Sequence, residues 1–191
     1  FFDYDLDGRL DLALANGHIE PTIQRVQNEV AYAEPPQLFW NRGEGRFLDA
    51  SKAAGGSFQR PLVGRGLAAG DLDEDGDLDL VITQNGGPPA LFRCDRSGAA
   101  AENRFVRIRL QGKGGNRDAL GAVLRATIGD RTEERVVRSG SSYLSQGELD
   151  ATFGLGKAGK IDRLEIRWPS GGKTTLENLA ASSERRVVRE E

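Results

Sequence analysis

Methionine is absent from this sequence, cysteine and histidine occur once each, at Cys94 and His18, and no apolar run nears the length that crosses a bilayer. A single cysteine excludes an internal disulfide, and one cysteine with one histidine is too few soft donors for a structural zinc site. Without an apolar run of about 18 residues there is no membrane-spanning helix to expect, and hence no membrane insertion. No charged-then-apolar leader opens the chain. That absence is silent on export, because the chain begins at Phe1 and reads as an excerpt of a longer protein. What is present is turn-rich: 25 glycines in 191 residues, with 38% hydrophobic and 29% charged residues. This profile fits a globular β protein with a buried core rather than a disordered chain.

The charges are unevenly placed. Residues 1–103 hold 9 Lys+Arg against 17 Asp+Glu, a net of -8, whereas residues 104–191 hold 17 against 12, a net of +5. Two regions follow, 1–102 and 103–191. The acidic region contains a repeat at an offset of 68 residues: Asp3, Asp5, Asp7, Gly8 and Asp11 reappear as Asp71, Asp73, Asp75, Gly76 and Asp79. Each copy runs into a short apolar stretch, 10–15 or 78–83, and then meets Asn-Gly, the order loop, strand, turn. Between the copies, residues 37–50 carry two apolar runs around a glycine-bearing turn, a hairpin signal. The order begins again at 89–94 and stops, so the second repeat is incomplete. Such units build propellers, but about four blades are needed to close a ring.

In each loop carboxylates stand at positions 1, 3, 5 and 9, and the carbonyl of position 7, Arg9 or Asp77, offers one more oxygen. Alternating aspartates on a tight turn can converge on one centre, and the glycine permits the bend. Carboxylates about 4 Å apart repel by roughly 4 kcal/mol at an effective dielectric of 20, so four of them require a cation. Hard oxygen donors on a flexible loop suit calcium, giving two expected sites: Asp3, Asp5, Asp7, Arg9 and Asp11, and Asp71, Asp73, Asp75, Asp77 and Asp79. An EF-hand would place a glutamate at position 12, where Leu14 and Ile82 stand. The loops therefore read as structural clips rather than sensors. The first is expected to bind more weakly, because the strand that would flank it lies before Phe1.

From about residue 103 the period changes to two. Val106, Ile108 and Leu110 alternate with Arg107 and Arg109, and Leu164, Ile166 and Trp168 with Arg163, Glu165 and Arg167. Half-buried antiparallel strands are predicted there and at 122–128, 135–139, 151–154, 174–176 and 185–189, in a small β-sandwich or barrel. Arginines that alternate with core residues make a solvated sheet face, or a surface that packs on the acidic repeats. They do not read as a phosphate-tracking groove, so no nucleic acid is expected.

The acidic loops and the 41–49 segment resemble the FG-GAP/VCBS repeat family, whose loops follow D-x-D-x-D-G-x-x-D. The segments 116–122, 140–146, 153–156 and 161–171 resemble the ASPIC/UnbV domain. The resemblance implies an all-β chain, with partial β-propeller repeats like the blades of integrin α-subunits, followed by a small antiparallel sandwich or barrel. It also implies further blades upstream, a location outside the cell or in the periplasm, and an adhesive role toward a protein or glycan ligand at the cell surface or matrix. No reaction is implied.

The candidates for catalysis are His18 with Cys94, or a serine from 139–145 with an acid. Neither has a base and an orienting group set beside it by the sequence, so no enzyme is expected. The rival reading is a non-catalytic or glycan-binding accessory region of a larger secreted hydrolase or lyase, with Trp40 or Trp168 as a stacking face; both tryptophans also lie in core-like apolar runs.

Overall fold

A computed structural model describes residues 1–191. The chain is all-β, with four sheets, no α-helix and three single-turn 3-10 segments. In the acidic part, β1 (Leu12–Leu14), β2 (Gln37–Gly43) and β3 (Arg46–Asp49) form one antiparallel sheet. The predicted hairpin is β2-β3, turning at Glu44-Gly45 with both residues at positive φ, the turn whose twist matches paired strands. A second antiparallel sheet joins β4 (Gly64–Gly70), β5 (Asp79–Gln84) and β6 (Ala90–Phe92). β4 has no β-branched residue in its sheet-pairing stretch, so propensity conceals it. Its glycine at 66 admits a close approach: a Cβ there would stand 2.5 Å from Ser145 Oγ and 2.8 Å from Thr83 Oγ1.

Each aspartate loop is closed at its mouth by the same pair of positions. Phe2 and Asp11 exchange two main-chain hydrogen bonds, at 3.1 and 2.7 Å, and Gly70 pairs with Asp79 at the end of the β4-β5 ladder. The repeat seen in the sequence is thus a repeat of backbone geometry.

The basic part contains β7 (Arg104–Gln111), β8 (Val123–Ile128), β9 (Arg131–Val136), β10 (Ala151–Gly156), β11 (Lys160–Arg167), β12 (Lys173–Ala180) and β13 (Arg186–Arg189). They form a three-stranded sheet, β10-β7-β13, and a four-stranded sheet, β12-β11-β8-β9. The two share a core of 18 buried residues, among them Ile108, Leu124, Phe153, Ile161, Leu164 and Ile166, and no barrel closes. One pairing departs from the expected antiparallel order: β13 runs parallel to β7. A strand predicted at 135–139 begins earlier, because the turn at Gly129-Asp130 pairs Ile128 directly with Arg131. At about 1.5–3 kcal/mol for each fully buried large apolar side chain, this core is a substantial store of stability. The acidic part has a much smaller cluster, the five residues Phe2, Leu38, Phe58, Leu78 and Leu80, with Leu6, Ile23, Val63 and Ile82 buried outside it. Its apolar burial alone contributes correspondingly less to stability.

Candidate metal sites

In the first loop Asp3, Asp5 and Asp11 each bring a carboxylate oxygen within 4.8 Å of the others, and all three are buried, at 1%, 9% and 1% exposure. In the second loop Asp71, Asp73 and Asp79 do the same, with Asp79 buried and Asp73 exposed. The main chain holds the ligands in matching ways. Gly8 N–H donates to Asp3 Oδ2, and Gly76 N–H to Asp71 Oδ2, both at 2.9 Å. Tyr4 N–H donates to Asp11 Oδ2 at 3.1 Å, and Leu72 N–H to Asp79 Oδ2 at 3.0 Å. The other oxygen of the ninth-position aspartate takes an N–H from the strand paired with the one that follows the loop, or from its extension: Asn41 of β2 to Asp11 at 2.7 Å, and Cys94, just after β6, to Asp79 at 2.8 Å. Gly8 and Gly76 both lie near φ +95°, where a side chain is strained, as do Leu6 and Glu74 two positions earlier at smaller positive angles.

Asp7 and Asp75 fall outside these two groups. Each accepts the N–H two residues on, Arg9 to Asp7 at 2.8 Å and Asp77 to Asp75 at 2.9 Å, and Asp7 also pairs with the Arg9 guanidinium. The side chain of Asp77 is buried against Arg96. Arg9 and Asp77 therefore have only their main-chain oxygens to offer a metal.

The electrostatics of the first loop are those of crowded, buried carboxylates. Burial, followed by the charge of Asp7, pushes Asp3 up to about 8; burial pushes Asp11 up to about 7; and burial with Asp7 also raises Asp5. Three converging carboxylates disfavour their own ionisation without a partner charge. In the second loop Asp71 Oδ1 is buried with no hydrogen-bond partner, a costly state for a carboxylate oxygen. An all-oxygen donor set with an orphaned buried oxygen fits calcium.

Both loops are seated on the basic part. Leu6, fully buried, offers its carbonyl to Gly156 N–H at 2.9 Å, and Asn103 Nδ2 donates to the Asp5 carbonyl at 2.8 Å. Gly154 lies so close that a Cβ there would be 2.1 Å from Asp3 Oδ2. Gly8 faces Arg131 and Glu133, and Gly76 faces the ring of Phe105. Arg107, 6% exposed, pairs with Asp71, with Glu148 at 2.7 Å and with Asp150 at 3.5 Å. Its place on a strand of alternating arginines points to solvent by periodicity alone. The fold turns that face onto the second aspartate loop instead.

The profile of the FG-GAP-like repeat matches residues 3–82, and that of the ASPIC and UnbV domain matches residues 112–191. The chain is 31% identical over 172 residues to cartilage acidic protein 1 of Xenopus tropicalis, covering 88% of this chain. It is 28% identical over 125 residues to cartilage acidic protein 1 of Homo sapiens, covering 65% of this chain. This chain belongs with the proteins that join FG-GAP-like repeats to an ASPIC and UnbV domain. It spans 25% and 19% of the length of those two relatives. The two aspartate groups lie in the FG-GAP-like region, and the strands β8 to β13 lie in the ASPIC and UnbV match.

Several contributors were not legible in advance. Trp40, read as core or as a sugar platform, donates its indole N–H to Asp5 Oδ2 at 3.0 Å, and Trp168 is buried with its indole N–H on Thr174 Oγ1 at 2.8 Å. Glu148 and Asp150 reach the second loop through Arg107 across a gap of more than 70 residues, with no local signal. The candidate nucleophile Cys94 lies 3.6 Å from the Tyr4 carbonyl, and burial followed by Asp77 and Asp79 pushes its thiol up to about 12. A thiol so raised stays protonated at neutral pH. His18 Nδ1 accepts the Glu20 N–H at 3.0 Å, a turn contact. Neither comparison indicates a catalytic activity.

Proposed function

We propose that the chain is a calcium-stabilised, extracellular or periplasmic interaction module with no catalysis of its own, holding one calcium ion at each aspartate loop. Asp3, Asp5 and Asp11 form the first ligand set, with Asp71, Asp73 and Asp79 the second and the carbonyls of Arg9 and Asp77 as further donors. The observation that carries this reading is the pair of matching aspartate groups, closed by equivalent hydrogen bonds and, at Asp71, holding a buried oxygen without a partner. The ion would pin the turn that feeds β1 or β5. No helix is long and apolar enough to cross a membrane, and similarity to proteins named cartilage acidic protein 1 favours a place outside the cell. The two three-stranded sheets would be blades of a β-propeller whose ring requires further blades outside residues 1–191. Its partner would be a protein or glycan at the cell surface or matrix. The accessory-module alternative gains little from the tryptophans, because Trp168 is buried and the Arg42 guanidinium lies 5.9 Å over the Trp40 ring.

Thermal unfolding in chelator and in calcium tests the reading. Calcium at 100 times its dissociation constant adds about 2.7 kcal/mol per site, or roughly 5–10 °C for a chain of this size. No difference between chelated and calcium-loaded protein would refute it. Full recovery by magnesium would reassign the ion.

A further inference from the structure

The two aspartate loops match in sequence and in main-chain bonding, yet they differ in the charges that touch their ligands. In the first loop every hydrogen bond to Asp3, Asp5 and Asp11 comes from a neutral donor: the N–H groups of Tyr4, Asp7, Gly8 and Asn41, and the Trp40 indole. A basic neighbour of Asp3, Arg135, directs its guanidinium to the Thr152 carbonyl at 3.2 Å and to Glu133 at 3.1 Å. In the second loop the guanidinium of Arg107 sits on Asp71 Oδ2, leaving Oδ1 buried and unpartnered. That same guanidinium bonds Glu148, whose Oε2 also accepts the Asp71 N–H at 3.3 Å. A unit positive charge in contact with one ligand removes much of the attraction that a divalent ion would otherwise feel there.

From this geometry we infer that Arg107 is a resident counter-ion of the second loop, making the two loops unequal cation sites: the first fills first, and the second binds calcium in competition with its own contact to β7. This rests on the calcium reading above and sets its order. It reverses the ranking expected from the sequence, where the first loop was weaker for want of an upstream strand. Arg107 is a positioning residue here, acting on the metal through Asp71. The arrangement also ties occupancy to docking, because the arginine that neutralises the loop belongs to the strand on which the loop sits.

Calorimetric titration of the chelated full chain with calcium at about pH 8.5 separates the two steps. Asp5→Asn and Asp73→Asn assign them, each removing one charge from one loop. The tighter step should disappear in D5N and the weaker in D73N, with roughly tenfold between them. Arg107→Gln should tighten the weaker step by roughly tenfold, leave the tighter one unchanged, and widen the gap in melting temperature between chelated and loaded protein. Arg107→Lys, which keeps the charge, should leave both steps near their original values. A tighter step that belongs to D73N, equal steps, or a second step unmoved in folded R107Q would overturn the inference while leaving the calcium reading standing. Should R107Q fail to fold, the order assigned by D5N and D73N decides alone. No calcium uptake by the parent chain would overturn both.

Discussion

Gly154 shows how one atom can matter to a site on another part of the chain. Its missing Cβ is the space occupied by Asp3 Oδ2 and the Leu6 backbone. Gly154→Ala should therefore push the first loop off β10, costing about 1–3 kcal/mol in urea unfolding and weakening calcium binding at that loop. Gly115, with nothing near its virtual Cβ, is the control: its alanine variant should change stability by less than about 0.5 kcal/mol. Equal effects at the two positions would remove the steric argument. The carboxylates of the same loop make a pH prediction. Asp3 is raised from 3.8 to about 8 and Asp11 from 3.8 to about 7, so the metal-free folded state holds protons that the unfolded chain has already released. Their contribution to the stability of the metal-free protein is full below about pH 4 and is lost as pH rises through 7 to 8. Calcium bound as proposed would have to displace those protons. The gain in melting temperature on adding calcium should accordingly be larger at about pH 8.5 than at about pH 6, and an equal gain at both would contradict the raised values.

Strands show where pattern suffices and where it does not. β7 and β11 were legible because their apolar residues alternate, and the apolar face is the core face: Ile108, Leu164 and Ile166 are fully buried, although on β7 the opposite face is covered too at Arg107. Phe153 on β10 is also fully buried, with Arg135 lying 5.2 Å above its ring. Phe153→Ala should cost about 3–5 kcal/mol in urea unfolding, whereas Val187→Ala, on the half-exposed side of β13, should cost under about 1 kcal/mol. A small loss at Phe153 would mean that the two sheets do not share one tight core. β4 escaped prediction because a Gly- and Ala-rich strand has no pattern of its own and exists by pairing with β5. The parallel place of β13 depends on a partner more than 70 residues away, which no local period encodes. The loops were legible for the opposite reason: position 1, 3 and 9 aspartates and the position 6 glycine act within nine residues, where spacing fixes geometry. What spacing left open was which oxygens converge, since Asp7 and Asp75 are drawn off by the turn that follows them.

Across the whole chain, apolar burial and charge are divided unequally. All 18 residues of the larger core lie after residue 103, while the acidic part has a cluster of five buried apolar residues, two aspartate loops and a seat on its neighbour. A domain of about 100 residues with so small a core depends on other sources of stability. Residues 103–191 made alone should therefore unfold cooperatively on heating, with no response to chelator. Residues 1–102 alone should be unfolded in chelator and gain near-ultraviolet dichroism from Trp40 as calcium is added, because the ion removes the repulsion within each loop and rewards the folded turn. In the full chain the Arg107 cluster and the close seats at Gly76 and Gly154 link the two parts. Calcium-loaded protein should then melt in one transition, and chelation should split off an earlier one belonging to the FG-GAP-like part. Cooperative folding of 1–102 in chelator would show that its small core is enough, and would reduce both the metal and the seat to accessories.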